Sequence, residues 1–165
     1  MEEYLQCEPE DALQEASDPR EITSVSSSPV RILVAEDSQP FRQFISWTMQ
    51  SRPFWKIICE VSDGRQAVHK AVELQPQLIL LDIGLPSLNG IEAASQICSL
   101  VPAAKILFVS MNRDAEVVRA ALNNSGAGYL LKQDAGAELV PAIEAVLQGK
   151  QYVSSGLDHS IQLRP

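Results

Sequence analysis

The stretch Gln77-Leu78-Ile79-Leu80-Leu81-Asp82-Ile83-Gly84-Leu85-Pro86 decides the fold. Four large aliphatic residues run without interruption into an aspartate, and a Gly and a Pro follow at once. So short an apolar run, bounded by turn residues, is the pattern of a strand covered on both faces. Working outward, Val30–Ala35 has the same texture and ends in the acidic pair Glu36-Asp37. Lys105–Ser110 ends in a hydroxyl, and Gly128–Lys132 ends in an amine. Trp55–Val61 is rich in β-branched and aromatic residues. Helical spacing fills the gaps: Pro40–Gln50 behind the N-cap candidate Ser38, then Gly64–Leu74, Gly90–Val101, Asp114–Asn123 and Ala135–Leu147. Gly126-Ala127-Gly128 reads as a turn before the fifth strand. Five strands alternating with five helices predict an α/β fold, a doubly wound five-stranded parallel sheet.

In such a sheet all strand C-termini lie on one edge, and the ligand site lies there. The prediction therefore brings together Glu36, Asp37, Asp82, Ser110 and Lys132. Three crowded carboxylates make a hard-oxygen site suited to Mg²⁺. Without a cation, their repulsion is expected to raise at least one acid pKa. A carboxylate beside Mg²⁺ can attack a phosphoryl group, with an ammonium and a hydroxyl holding the oxygens.

These residues resemble the receiver domain of two-component response regulators. The resemblance covers about residues 30–153, leaving 154–165 as a C-terminal tail. It rests on Glu36-Asp37, Asp82, Ser110 and Lys132, on Asp82-Ile83-Gly84-Leu85-Pro86-Ser87-Leu88-Asn89-Gly90, and on Tyr129, three residues before Lys132. It implies a flavodoxin-like sheet of order 2-1-3-4-5. It implies that Asp82 takes a phosphoryl group from the phosphohistidine of a histidine kinase or phosphotransfer protein. Asp37, Asp82 and the backbone carbonyl of Gly84 would then hold Mg²⁺, with Glu36 acting through a coordinated water. Lys132 would pair with the phosphoryl oxygens, Ser110 would move toward them, and Tyr129 would turn inward behind it. The switch biases a surface of the fourth helix, fifth strand and fifth helix.

Three positions depart from the family pattern. The acidic pair is Glu-Asp where Asp-Asp is commoner. Gln133 follows Lys132 where many members have a cis proline, a form found with LuxR-type helix-turn-helix outputs. Met111 follows Ser110 where a small residue is usual, and its length is expected to screen Asp82 and slow phosphoryl turnover.

Taken singly, each residue has a plain reading. Asp82, Ser110 and the Glu36-Asp37 pair can be helix caps, Lys132 a surface charge and Tyr129 a half-buried strand aromatic. Together those readings require coincidence at four strand ends. His69 and His159 read as structural or solvated, and Trp47 and Trp55 as packing residues. A haloacid-dehalogenase-type phosphatase needs a second acid two residues after its nucleophile, and Gly84 stands there. A flavodoxin-like cofactor site needs a phosphate loop where this chain has Glu36-Asp37-Ser38.

The 165 residues suit one domain. The net charge of −8 is uneven: residues 1–29 hold eight acids and only Arg20, while residues 30–165 hold thirteen acids and twelve bases. An acidic tail with a Ser-rich end, expected to be disordered, thus precedes a near-neutral body. No basic face is available for a nucleic acid, and no apolar run approaches a membrane span. Cys7, Cys59 and Cys98 are few and scattered, which predicts reduced thiols in a cytoplasmic protein. The predicted output is a protein partner or a homodimer. The alternative is the receiver part of a DNA-binding transcriptional regulator, since Gly149-Lys150-Gln151-Tyr152-Val153-Ser154 resembles the junction before such a domain.

Overall fold

The computed structural model describes residues 28–124, 126–157 and 161, with only the backbone of Asn124. The acidic tail to residue 27, with Cys7, lies outside the described residues, as does His159. The strands are β1 (Val30–Ala35), β2 (Trp55–Val61), β3 (Leu78–Asp82), β4 (Lys105–Ser110), β5 (Gly126–Leu131) and β6 (Tyr152–Val153). The helices are α1 (Gln39–Gln50), α2 (Gly64–Leu74), α3 (Gly90–Leu100), α4 (Ala115–Asn124) and α5 (Ala135–Leu147). The sheet runs β2-β1-β3-β4-β5-β6, and every neighbouring pair is parallel.

The central stretches of the strands are apolar because their residues alternate between two cores. Leu33, Ala35, Ile79, Leu81, Ile106, Phe108 and Tyr129 face α2, α3 and α4, whose Ala67, Ala71, Ala93, Ile97 and Val118 share their cluster. Ile32, Val34, Leu78, Leu80, Leu107, Val109 and Leu130 face α1 and α5, with Ile45, Met49, Leu139 and Ile143. The continuous aliphatic run of β3 therefore buries both faces of its strand.

The expected five-strand sheet needs correction: among the described residues there are six strands. Tyr152 and Val153 pair with Gly128 and Tyr129 and extend the edge beyond β5. The core runs with them past Val153, since Leu157 and Ile161 are buried in the α2–α4 core. Gly126-Ala127-Gly128 is part of β5 and not a turn. A Cβ on Gly126 would meet the Phe108 ring at 2.9 Å, and one on Gly128 would meet Leu107 at the same distance. Glycine there answers a packing demand, not a chain reversal. Trp47 is exposed and does not pack, whereas Trp55 joins the α1–α5 core. His69 is exposed beside Glu73. Cys98 is a free thiol, but Cys59 is buried and disulfide-bonded, so reduced thiols are not the state of this residue. Among the described residues, no helix is long and apolar enough to cross a membrane.

The loop after β3 is closed tightly: Gly90 N–H donates to the Ile83 carbonyl at 2.8 Å, and Gly64 N–H to Pro86 at 3.2 Å. A Cβ on Gly90 would lie 2.1 Å from the Asp82 carbonyl oxygen. Gly90→Ala is therefore expected to cost roughly 1–3 kcal/mol by forcing loop and helix apart. A lowered urea midpoint at unchanged slope is the readout.

Candidate functional site

The strand ends converge as their order requires. Glu36 follows β1, Asp82 closes β3, Ser110 closes β4, and Lys132 follows β5 as the first residue of a 3₁₀ turn through Asp134. Lys132 thus stands just past its strand, not within it. Glu36, Asp82 and Ser110 are buried; Asp37 is exposed at the mouth.

The Lys132 ammonium links the carboxylates. Its Nζ donates to Glu36 Oε1 at 2.9 Å and lies 2.7 Å from Oε2 and 3.3 Å from Asp82 Oδ2. It also sits 5.1 Å from the centre of the Phe41 ring, close enough for a cation–π attraction. Backbone donors hold the acids from the other side. Ser38 N–H donates to Glu36 Oε1 at 2.9 Å, and Gly84 N–H donates to Asp82 Oδ1 at 3.2 Å. Arg42, one helical turn into α1, donates to the Glu36 carbonyl at 2.6 Å. Ser38 caps α1 as predicted, its hydroxyl accepting from Phe41 N–H.

Glu36 and Asp82 both have raised pKa values. Burial is the largest cause in each case, and Lys132 opposes it. The expected carboxylate repulsion is present but secondary: Asp82 acts on Glu36, and Asp37 acts on Asp82.

One oxygen from each of Glu36, Asp37 and Asp82 lies within 4.8 Å of the others. Glu36 Oε2, despite its closeness to Lys132, has no well-aligned hydrogen bond. An all-oxygen donor set with an acceptor to spare fits a hard divalent cation. Position 84 is the place for a phosphatase-type general acid. A Cβ there would lie 3.9 Å from both Asp82 oxygens, but glycine offers no proton.

Behind the carboxylates, Ser110 Oγ accepts from Asn112 N–H at 3.0 Å, and Tyr129 OH donates to the Asn112 carbonyl at 2.8 Å. Tyr129, which the resemblance has turning inward on phosphorylation, is already fully buried. Met111 is 70% exposed and lines an open cleft of about 500 Å³ with Ser38, Pro40, Phe41, Lys132 and Gln133. Asn112 escaped the sequence reading, its only trace being that of a turn former two residues after a strand-end serine.

Comparison with known proteins agrees with this geometry. The response regulator receiver domain model matches residues 32–144. The transcriptional regulatory protein DegU of Brevibacillus brevis is 29% identical over 137 residues, 83% of this chain and 58% of its own length. LiaR of Bacillus subtilis is 32% identical over 126 residues, 76% of this chain and 60% of its own. A LuxR-family two-component response regulator from Aurantimonas sp. SI85-9A1 superposes with a TM-score of 0.76 at 30% identity, covering 81% of this chain and 96% of that one. The signal receiver domain of the putative response regulator NarL from Mycobacterium tuberculosis gives 0.71 at 26%, over 74% and 99%. The chain belongs to the response regulator receiver family. It spans about three-fifths of the length of the curated relatives it matches.

Removing the ammonium leaves buried charge uncompensated. Lys132→Met is expected to destabilise the fold by about 3 kcal/mol at pH 7, read by urea unfolding. The raised Asp82 pKa fixes the sign of a second test. Stability from this group is fully present below the unfolded value of about 3.9 and is lost as pH rises through the folded one. In metal-free buffer at pH 7, Asp82→Asn therefore melts higher than wild type. The gap should close as the pH falls toward 4, and a gap independent of pH would rule out the buried charge as its cause.

Proposed function

We propose that this receiver takes a phosphoryl group onto Asp82 from the phosphohistidine of a sensor histidine kinase or phosphotransfer protein. An Asp82 carboxylate oxygen forms the bond to phosphorus as the phosphorus–nitrogen bond breaks. The imidazole leaves with the bonding pair and takes a proton from solvent. The observation that carries this reading is the Lys132 ammonium 3.3 Å from a buried strand-end carboxylate. There it neutralises charge on incoming phosphoryl oxygens. Ser110 turns its hydroxyl toward the same oxygens. Asp37, Asp82 and the Gly84 carbonyl would hold Mg²⁺, with Glu36 behind a coordinated water. The ion supplies the positive charge that makes crowded carboxylates and phosphoryl oxygens compatible. Transfer onto Asp82 and hydrolysis from it are the whole chemistry of this reading; the missing acid at Gly84 disfavours turnover of phosphomonoesters.

Met111 shields the acyl phosphate from water at the rim of the cleft and slows its hydrolysis. The output acts through a downstream protein partner or a homodimer, in the cytoplasm beside the kinase. A second reading is favoured by the curated relatives named transcriptional regulatory proteins, which extend beyond the matched span. In it, the chain is the receiver part of a DNA-binding regulator.

Phosphotransfer with Mg²⁺ and candidate histidine kinases tests the reading. Wild type becomes labelled, whereas Asp82→Ala does not, and failure of wild type with every donor would remove the proposal. Met111→Ala should speed dephosphorylation severalfold; an unchanged or slower rate would sink the shielding role. Specific DNA binding by this chain in a low-salt shift assay would replace the protein-partner output with the second reading.

A further inference from the structure

The sixth strand and the residues after it do nothing for the phosphoryl site, yet they are anchored to the elements around it. Ser154 N–H donates to the carbonyl of Tyr129 at 2.9 Å, so the strand is bonded to the buried tyrosine itself. Arg113, three residues after Ser110, donates its guanidinium to the Gly156 carbonyl at 2.6 Å. On the other flank, Glu138 of α5 accepts from Tyr152 OH at 2.8 Å, from Ser154 Oγ at 3.0 Å and from both the amide and the hydroxyl of Ser155. Ser154 Oγ also donates to Asp134 at 2.7 Å. Beyond these bonds, Leu157 and Ile161 are buried in the core that holds Val118, Ala121, Leu122 and Tyr129. The segment straps the β5 edge and the α4 side of the sheet.

The strap meets the elements of the site at Tyr129, at Asp134 in the turn that carries Lys132, and through Arg113 in the loop after Ser110. Ser110 Oγ holds Asn112 N–H, Tyr129 OH holds the Asn112 carbonyl, and Arg113 comes next. A serine cannot keep its oxygen on Asn112 N–H and also swing it to a phosphoryl group on Asp82, because that swing is a change of rotamer. Tyr129 is already buried, so its ring has no inward move left to report the change. The strain of the swing falls on Asn112 and Arg113.

We propose that residues 152–157 form an autoinhibitory strap, closed on β5 and α4 while Asp82 is free and released through Arg113 when Asp82 is phosphorylated. Release leaves the outer edge of β5 without its neighbouring strand. The inference rests on Asp82 being the phosphoacceptor. By reciprocity, whatever loosens the strap also favours the modified site.

Hydrogen exchange of the full chain with Mg²⁺, with and without beryllofluoride as the phosphoryl analogue, tests it. Fluorine NMR of the same samples, with Asp82→Ala as control, reports whether the analogue is bound at Asp82. In wild type, exchange at Ser154, whose amide is bonded to the Tyr129 carbonyl, should rise at least about tenfold on binding. Arg113→Ala should raise it without the analogue and leave little further response. Ser155→Ala, which loosens only the α5 flank, should raise the baseline and keep the response. Bound analogue with unchanged or slower strap exchange overturns the strap and leaves the receiver reading standing. No bound analogue at Asp82 in wild type overturns both. An Arg113→Ala response as large as that of wild type overturns the route through Arg113.

Discussion

One ammonium between two buried carboxylates constrains the whole sheet. Lys132 reaches Glu36 and Asp82 at once, although β1 and β5 have β3 and β4 between them. At ordinary strand spacing that separation is about 14 Å. Neither a short acid nor a short base would close it. Glutamate at position 36 and lysine at 132 are long enough, and the 3₁₀ turn at Lys132–Asp134 carries the lysine just clear of its strand. The pair also fixes the order of the strands. A β5 one place farther out, or a β3 on the far side of β1, would strand Glu36 or Asp82 as a buried charge without a partner. That is among the costliest faults a fold can carry.

The same constraint accounts for the apparatus around the site. Glu36 and Asp82 pay for burial in raised pKa values, and the amides of Ser38 and Gly84 offset part of it. Each amide comes from a tight turn that the sequence prepares, one by the N-cap of α1 and the other by the glycine of the loop after β3. That loop lies against α2 through Pro86 and Gly64 and holds Ser87 in the left-handed region, φ 65°. Backbone of this kind persists only where surrounding contacts over-determine it. The precision of the Asp82 carboxylate is thus set by packing between α2 and α3 as much as by the site's own charges.

What the sequence made legible follows from what a single chain segment can encode. The first five strands were legible because burial on two faces leaves a continuous apolar signature, seen from Leu78 to Leu81. Glu36, Asp82, Ser110 and Lys132 were legible because parallel topology turns "end of strand" into "same place". The rest depends on contacts between distant segments. Tyr152–Val153 is too short to have a period, and it is a strand only because β5 offers an edge. Gly126 and Gly128 mimic a turn, since in sequence a glycine required by a close-packed Phe108 or Leu107 looks like one required by a reversal. Phe41 beside Lys132 and Arg113 beside Gly156 are pairings across the fold, and neither residue differs in sequence from an ordinary helix or loop position.

The buried Tyr129 bears on how a receiver of this build can signal. A rotating aromatic reports a change at the site only if an outward position is occupied first. Here its hydroxyl is bonded to Asn112 and its backbone carbonyl to Ser154. The residue is thus bonded at both ends, to the β4–α4 loop through its hydroxyl and to the sixth strand through its carbonyl. Charge gives the reason a change would begin at Ser110. Three carboxylates face one ammonium that already serves two of them, so under the proposed function phosphoryl oxygens on Asp82 would need a further donor. The Ser110 hydroxyl at the end of β4 is committed to an amide of its own loop. Recruiting it would trade a bond that holds the loop for one that holds the phosphoryl group, and a local change in charge would become a change in chain position.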